Sequence, residues 1–342
     1  MSARGTRALW ASWSVDRLLD MRICDLDLEL QGSWIEEGVD QLGEDLGRRG
    51  LRFRPHVWLS SEWFTPTKVP GLAVPFYLAH PRLIRLERSL MLEVEGGSRR
   101  EFRQILRHEC GHAIQNAYRL NLRKGYRRLF GRSSKRYPES YRPNPTSRRY
   151  VHHLRMYYAQ SHPDEDFAET FAVWLGAKHV WRKQYAGWYA LKKLEYVDEL
   201  MHEVADQPPP VRTRKKVEPV NSIKTTLREH YDERLARYPP GAPETYDADL
   251  RMLFAAESRT AGAWPAHRFL RRNRKDIRQL VARWTGQYQF TLDQVLEDMI
   301  RRCRELGLHG SGDENSVRMQ FAVLLTVQTM HTLYTRRHWI VM

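Results

Sequence analysis

Residues 98–120, SRREFRQILRHECGHAIQNAYRL, restrict this chain more than any other stretch, because they contain His108-Glu109-Cys110-Gly111-His112. Residues four apart on a helix lie one turn above each other, so His108 and His112 can offer imidazole nitrogens to one metal ion from one face. This is the HExxH arrangement for zinc (Zn2+). Glu109 stands about 100° round the helix from His108, where its carboxylate can take a proton from a water beside the metal. A helix here is expected independently, since Ser98 and Glu101 form a capping-box pattern just before the apolar residues Phe102, Ile105 and Leu106 begin. Cys110 falls on nearly the opposite side of the helix from His108 and reads as a core residue rather than a ligand. Taken alone, the pattern also fits a helix with two surface histidines.

A catalytic zinc needs three protein ligands and one position open to water. The candidate for the third lies in SHPDEDFAETFAVWLG, residues 161–176. Pro163 suits the first turn of a helix, the acidic residues behind it suit the positive end of the helix dipole, and Gly176 marks an end. Glu165 and Glu169 then share one face, while Phe167, Phe171, Trp174 and Leu175 supply apolar surface for packing. His162 reads as the helix cap, and His152 and His153 are rival ligands outside any motif.

HECGH followed by HPDEDFAETFAVWL resembles the gluzincins, zinc peptidases whose third ligand is a glutamate on a second helix, and most of all a family of bacterial zinc-binding metallopeptidases. The E-x-F-A-E spacing is also similar to that of the toxin lethal factor. The resemblance implies that Glu165 binds zinc and that Glu169 holds a ligand histidine from behind. Electrostatics agrees with one role for each: two carboxylates on one zinc would leave no excess positive charge to acidify a water, whereas a carboxylate behind the ligands fixes a histidine tautomer. The same likeness matches Tyr158 to a tyrosine seven residues before the ligand glutamate, which would donate to a developing oxyanion. The bland alternative for Tyr157 and Tyr158 is aromatic packing.

With 342 residues the chain is long enough for a buried core and two substructures. Its 42% hydrophobic and 28% charged residues fit a globular protein, and no apolar run approaches the roughly 20 residues of a membrane span. The first residues lack the continuous apolar segment of a secretory signal, and three cysteines, Cys24, Cys110 and Cys303, make no disulfide framework. Both features point to the cytoplasm. The net charge of +15 is concentrated: residues 119–149 hold eleven Lys or Arg against one acid, Glu139, and join the two halves of the metal site. Such a segment is either a solvated loop or an electrostatic funnel for an acidic peptide or a nucleic-acid-bound protein.

Along the chain, residues 9–19 read as a short docking helix, and 22–30 alternate leucines with acids as a half-buried strand does. A second capping-box pattern, Ser33 and Glu36, opens a helix closed by Arg48-Arg49-Gly50. Strands are expected at 51–59 and 74–79, 81–95 fits either helix or strand, and 125–150 reads as a long loop lining the cleft. After a helix at 190–204, Pro208-Pro209-Pro210 and residues 212–216 (RTRKK) look like a stiff charged linker. Helical patterns follow near 222–237, 246–257, 265–284, 291–306 and 314–336, with the basic runs 271–275 and 301–302 as solvated faces. The expected fold class is α+β: a zincin-like domain over 1–206, with a small mixed sheet and the metal-site helices, a linker over 207–220 and a mainly helical region over 221–342.

Two functions compete. One is zinc-dependent hydrolysis of a peptide or amide bond by His108, His112 and Glu165, with Glu109 as base, on a substrate that the basic segment suits if it is acidic. The other is a catalytically inert zincin shell that holds nucleic acid or an acidic partner. No membrane partner is expected.

Overall fold

A computed structural model of the chain describes residues 8–138, 140–141, 143–176, 180–236, 246–256, 262–335 and 340–341. It is mostly helical with small sheets. The described residues form two compact units, one from those within 1–90, 94–232 and 340–342 and the other from those within 91–93 and 233–339.

In the first unit α1 (Val15–Leu19) and α2 (Trp34–Arg48) precede strands β1 (His56–Ser60) and β2 (Gly71–Pro75); α3 (Pro81–Met91) leads to the motif helix α4 (Arg99–Tyr118). Then come α5 (Lys124–Leu129), α6 (Pro163–Leu175), α7 (Val180–Gln184), α8 (Tyr189–Val204) and α9 (Leu227–Ala236), on which the boundary between units falls. Buried Ile35, Leu42 and Leu46 form the inner stripe of α2, as the periodicity requires. The capping differs from the expected box: Ser33 Oγ donates to Leu30 O (2.6 Å), while Glu36 Oε2 accepts from Gly32 N (2.7 Å).

The sheet is smaller than expected. Residues 22–30 form no strand but a 3-10 turn, Ile23–Leu26, ended by Asp27 in the left-handed region (φ 49°). The buried residues there, Ile23 and Leu26, are three apart, and the Ile23 and Cys24 amides donate to Thr225 O and Ile223 O, so the leucine–acid alternation reflects a turn held by a distant segment. Within 51–59 only the end is strand, and the apolar run 74–79 leaves β2 after Pro75 for a 3-10 turn, Phe76–Ala79. A short fully buried run gives no period by which to tell these apart. β1 and β2 pair in parallel, His56 opposite Gly71 through Ser60 opposite Pro75. Their connection doubles back so that Phe64 bridges Ala73 from the other side. Asn116 Nδ2 of α4 ties that connection down through Pro66 O (3.1 Å) and Val69 O (3.0 Å). These two bonds hold residues 61–70 against the motif helix.

Residues 207–220 do not run free. Val211 N donates to Ala117 O (3.1 Å), Trp58 Nε1 to Val217 O (2.9 Å) and Ser60 Oγ to Glu218 O (2.7 Å), so the Pro-rich basic stretch belongs to the first unit and the boundary lies later than composition implies. Prolines remove donors, but the carbonyls and flanking amides still find partners.

In the second unit α10 (Asp247–Leu253), α11 (Ala266–Thr285), α12 (Gln289–Glu305) and α13 (Glu314–Thr335) surround one apolar core that includes Phe254, Phe269, Leu296, Met299 and Phe321. Arg274 and Arg278 of α11 both pair with Asp293 of α12, so part of the basic pattern crosslinks helices and part faces solvent. Residues 237, 257 and 336, at the ends of the expected helices, lie outside the described residues.

Candidate metal centre

Two helices build the site, and both are started by their own sequence. Ser98 Oγ accepts from Glu101 N (3.2 Å) at the head of α4. His162 caps α6, its Nδ1 accepting from Asp164 N (3.2 Å), with Pro163 in the first turn and Asp164, Glu165 and Asp166 at the positive end of the dipole. The helices run antiparallel with little between them, because α4 presents Gly111 to Ala168: a Cβ on Gly111 would lie 2.8 Å from Ala168 Cα. On the far side of α6, buried Lys193 of α8 pairs with buried Asp166 (2.5 Å) and fixes the helix.

That closeness brings side chains from the two helices to one point. His108 Nε2 and His112 Nε2 are 3.1 Å apart, and Glu165 Oε2 lies 3.0 Å from the first and 3.1 Å from the second. One tetrahedral zinc with bonds of about 2.0–2.1 Å spaces its donors by about 3.3 Å, so the three atoms sit a few tenths of an ångström from a ligand triangle. Among the described residues these are the three His, Cys, Asp or Glu side chains grouped closely enough to hold a metal ion. His108 Nδ1 lies 2.8 Å from Glu169 Oε1, and a carboxylate only accepts, so Nδ1 carries the hydrogen and Nε2 turns its lone pair to the centre. The other oxygen of Glu169 accepts from Leu154 N (2.9 Å). The donor set, its tautomer and the group behind it all fit zinc.

Electrostatics follows from burial and pairing. Burial disfavours charge on both imidazoles, yet the adjoining carboxylates outweigh it and raise His108 and His112 above the ordinary histidine range. Burial also opposes charge on Glu165, but His112 and His108 hold its carboxyl well below the usual value. A cation at the centre therefore meets an ionised carboxylate and competes with protons for the imidazoles.

Glu109 flanks the triangle at the edge of the buried region. Thr65, on the connection between β1 and β2, donates its hydroxyl to Glu109 Oε2 (2.8 Å) and also lies 3.2 Å from the Glu109 carbonyl. One carboxylate oxygen is thus anchored. The Tyr158 ring sits 5.6 Å from that of His108, between centroids. It follows two successive residues in the left-handed region, Met156 (φ 61°) and Tyr157 (φ 56°), a costly backbone for side chains of this size. Burial first, then Glu165, keeps the Tyr158 phenol protonated far above neutrality.

Tyr137 is a contact the sequence does not announce. It donates to Glu165 Oε1 (2.8 Å) and stacks on His162 (centroids 3.7 Å apart), while 44% of it remains exposed. The loop that bears it is tied to the head of α6, where Lys135 O accepts from His162 Nε2 (2.8 Å) and Ser133 Oγ donates to Asp164 Oδ1 (2.5 Å). Tyr137→Phe keeps the stacking and removes the bond. Zinc affinity, read by competition with a chromophoric chelator, is expected to fall about tenfold, the low end for groups that hold a ligand, since water can reach the vacated oxygen. Unchanged affinity would mean that the hydroxyl does not hold the carboxylate.

The remaining candidates lie elsewhere. His153 Nε2 donates to Gln104 O (2.9 Å), and His152 packs edge-on to Tyr157 and Trp188. Cys110 is fully buried, and burial pushes its thiol up. Of the basic segment, Arg123 pairs with Glu203 (2.5 Å) and Arg149 covers the Tyr189 ring, while Arg119, Arg128, Arg132 and Arg136 are exposed. Arg142 and Glu139 lie outside the described residues.

Residues 97–221 match the model of a family described as "Putative zinc-binding metallo-peptidase", the kinship suspected from HECGH and the second acidic helix. The match spans α4 through α8, the elements that carry the three candidate ligands, Glu169 and Tyr137. No curated protein and no solved structure matches the chain.

Proposed function

We propose that this chain is a zinc metallopeptidase of the gluzincin type, built on a zincin-like fold, that hydrolyses a peptide or amide bond. The observation that carries the reading is the meeting of His108, His112 and Glu165 within 3.1 Å of one another, with the Glu169 carboxylate on His108 Nδ1. His108, His112 and Glu165 would hold the ion. When bound, zinc supplies a Lewis acid for the scissile carbonyl and lowers the pKa of an attacking water to about 7. Glu109 accepts the proton of that water on the oxygen that Thr65 leaves free, then passes it to the departing amine. The Tyr158 hydroxyl, protonated at neutral pH, donates to the oxyanion that forms on the carbonyl. Glu169 keeps His108 in the tautomer that faces the ion.

A peptide or protein is the substrate class, and the exposed arginines of 119–149 favour an acidic one. No helix among the described residues is long and apolar enough to cross a membrane. Cys24, Cys110 and Cys303 are all free thiols, which suits the reducing cytoplasm. The reading is tested by digesting a peptide library with zinc-loaded protein and identifying products by mass spectrometry. Cleavage at defined bonds that stops on chelation is expected; an intact library with zinc bound would instead favour the inert binding protein.

A further inference from the structure

Beyond the metal centre, where the first turns of α4 pass the end of α6, lies a cleft of about 600 Å³. Five guanidinium groups line it: Arg100, Arg103 and Arg107 along one stripe of α4, and Arg48 and Arg49 at the end of α2. One carboxylate, Asp45, joins them, buried and already taken by Arg48 and by both Nε (3.1 Å) and Nη2 (2.6 Å) of Arg107. Arg48 also approaches Glu44 (3.8 Å). Arg49 donates to Trp174 O and Gly176 O (3.2 Å), with the Asp198 and Asp45 carboxylates acting on its charge only from a distance. Arg100 and Arg103 face no carboxylate at ion-pair distance among the described residues. Five guanidiniums against one carboxylate therefore leave an excess of positive charge on one concave surface.

We infer that this cleft binds a small molecule carrying two or more phosphate groups. Arginine forks match phosphate oxygens in bidentate pairs, and a chain of phosphates presents several such oxygens and negative charges in succession to the guanidiniums that line the cleft. A carboxylate of an acidic peptide offers one charge and two acceptor oxygens, where a terminal phosphate offers nearly two charges and three. The volume also lies in the range of about 300–1,000 Å³ typical of small-ligand sites, and a concave lining suits a small ligand better than the convex backbone of a duplex. None of its guanidinium groups pairs with His108, His112 or Glu165, and Arg107, which precedes His108 on α4, turns its guanidinium to Asp45.

The test is isothermal titration of the full chain with sodium tripolyphosphate at constant ionic strength, beside a single-stranded oligonucleotide. The double variant Arg100→Gln, Arg103→Gln is compared with Arg271→Gln, Arg283→Gln, two exposed arginines of α11. Saturable binding of one tripolyphosphate per chain is expected, weakened at least about tenfold in the first variant by loss of charge-assisted hydrogen bonds and unchanged in the second. Thermal midpoints of both variants confirm folding. Absence of saturable binding, equal weakening in both variants, or preferential binding of the oligonucleotide through Arg100 and Arg103 would each overturn the assignment.

Discussion

Glu109→Gln is expected to lower peptide turnover by about 10²–10⁴-fold or more while zinc stays bound, because the variant keeps shape and loses only the ability to accept a proton. The amide oxygen can still accept from Thr65 Oγ1, now 2.8 Å from Glu109 Oε2, so the side chain keeps its place. Glu109 is not among the three grouped donors, so zinc content should match that of the unsubstituted protein. Single-turnover cleavage of a peptide found in the library digest, with metal measured on the same sample, gives both numbers. Undiminished cleavage would remove Glu109 from the mechanism. Loss of zinc would instead mean that the carboxylate is a ligand.

Gly111→Val should damage the fold and the site together. A Cβ at 111 would come 2.8 Å from Ala168 Cα and 3.0 Å from Ala168 O, and these are backbone atoms of α6 that cannot swing aside. Two effects oppose each other. Leaving glycine gains a few tenths of a kcal/mol of helix propensity, whereas forcing apart packed helices costs typically about 1–3 kcal/mol, so the clash wins. For a unit of this size the thermal midpoint should drop by several degrees, at about 2–4 °C per kcal/mol. Displacing α6 also carries Glu165 away from the imidazoles, so zinc affinity should fall even where the variant is folded. Gly47→Ala is the control, since its added Cβ meets only the end of the Arg54 side chain, at 3.3 Å. Equal midpoints for Gly111→Val and Gly47→Ala would show that the helices can separate freely.

How much of this could be read from the chain depends on the distance over which each feature is determined. His108 and His112 meet because of a four-residue spacing, and His162, Pro163 and Gly176 bound α6 through local chemistry, so both helices were legible. The choice between Glu165 and Glu169 needed a family likeness, because both face the same way on α6; their separate placements, on the donor triangle and on His108 Nδ1, come from the approach of two helices. Thr65 and Tyr137 were not legible. Each lies in an irregular segment without periodicity and reaches its partner across 44 or 28 residues of sequence. The leucine–acid alternation at 22–30 misled for a related reason: its backbone is satisfied by residues 223–225, which no local pattern reveals. The stretch 207–220 looked like a linker because its composition is that of one, yet its carbonyls serve Trp58 and Ser60.

Zinc content after exhaustive dialysis, measured for the unsubstituted chain, Glu165→Ala and Glu169→Ala, probes the donor triangle most directly. One zinc per chain is expected in the first and none retained in the second. Glu169→Ala should keep its zinc but bind it about 10–100-fold more weakly, as befits a group that only steers a ligand histidine. Metal lost from Glu169→Ala and kept by Glu165→Ala would contradict the assignment.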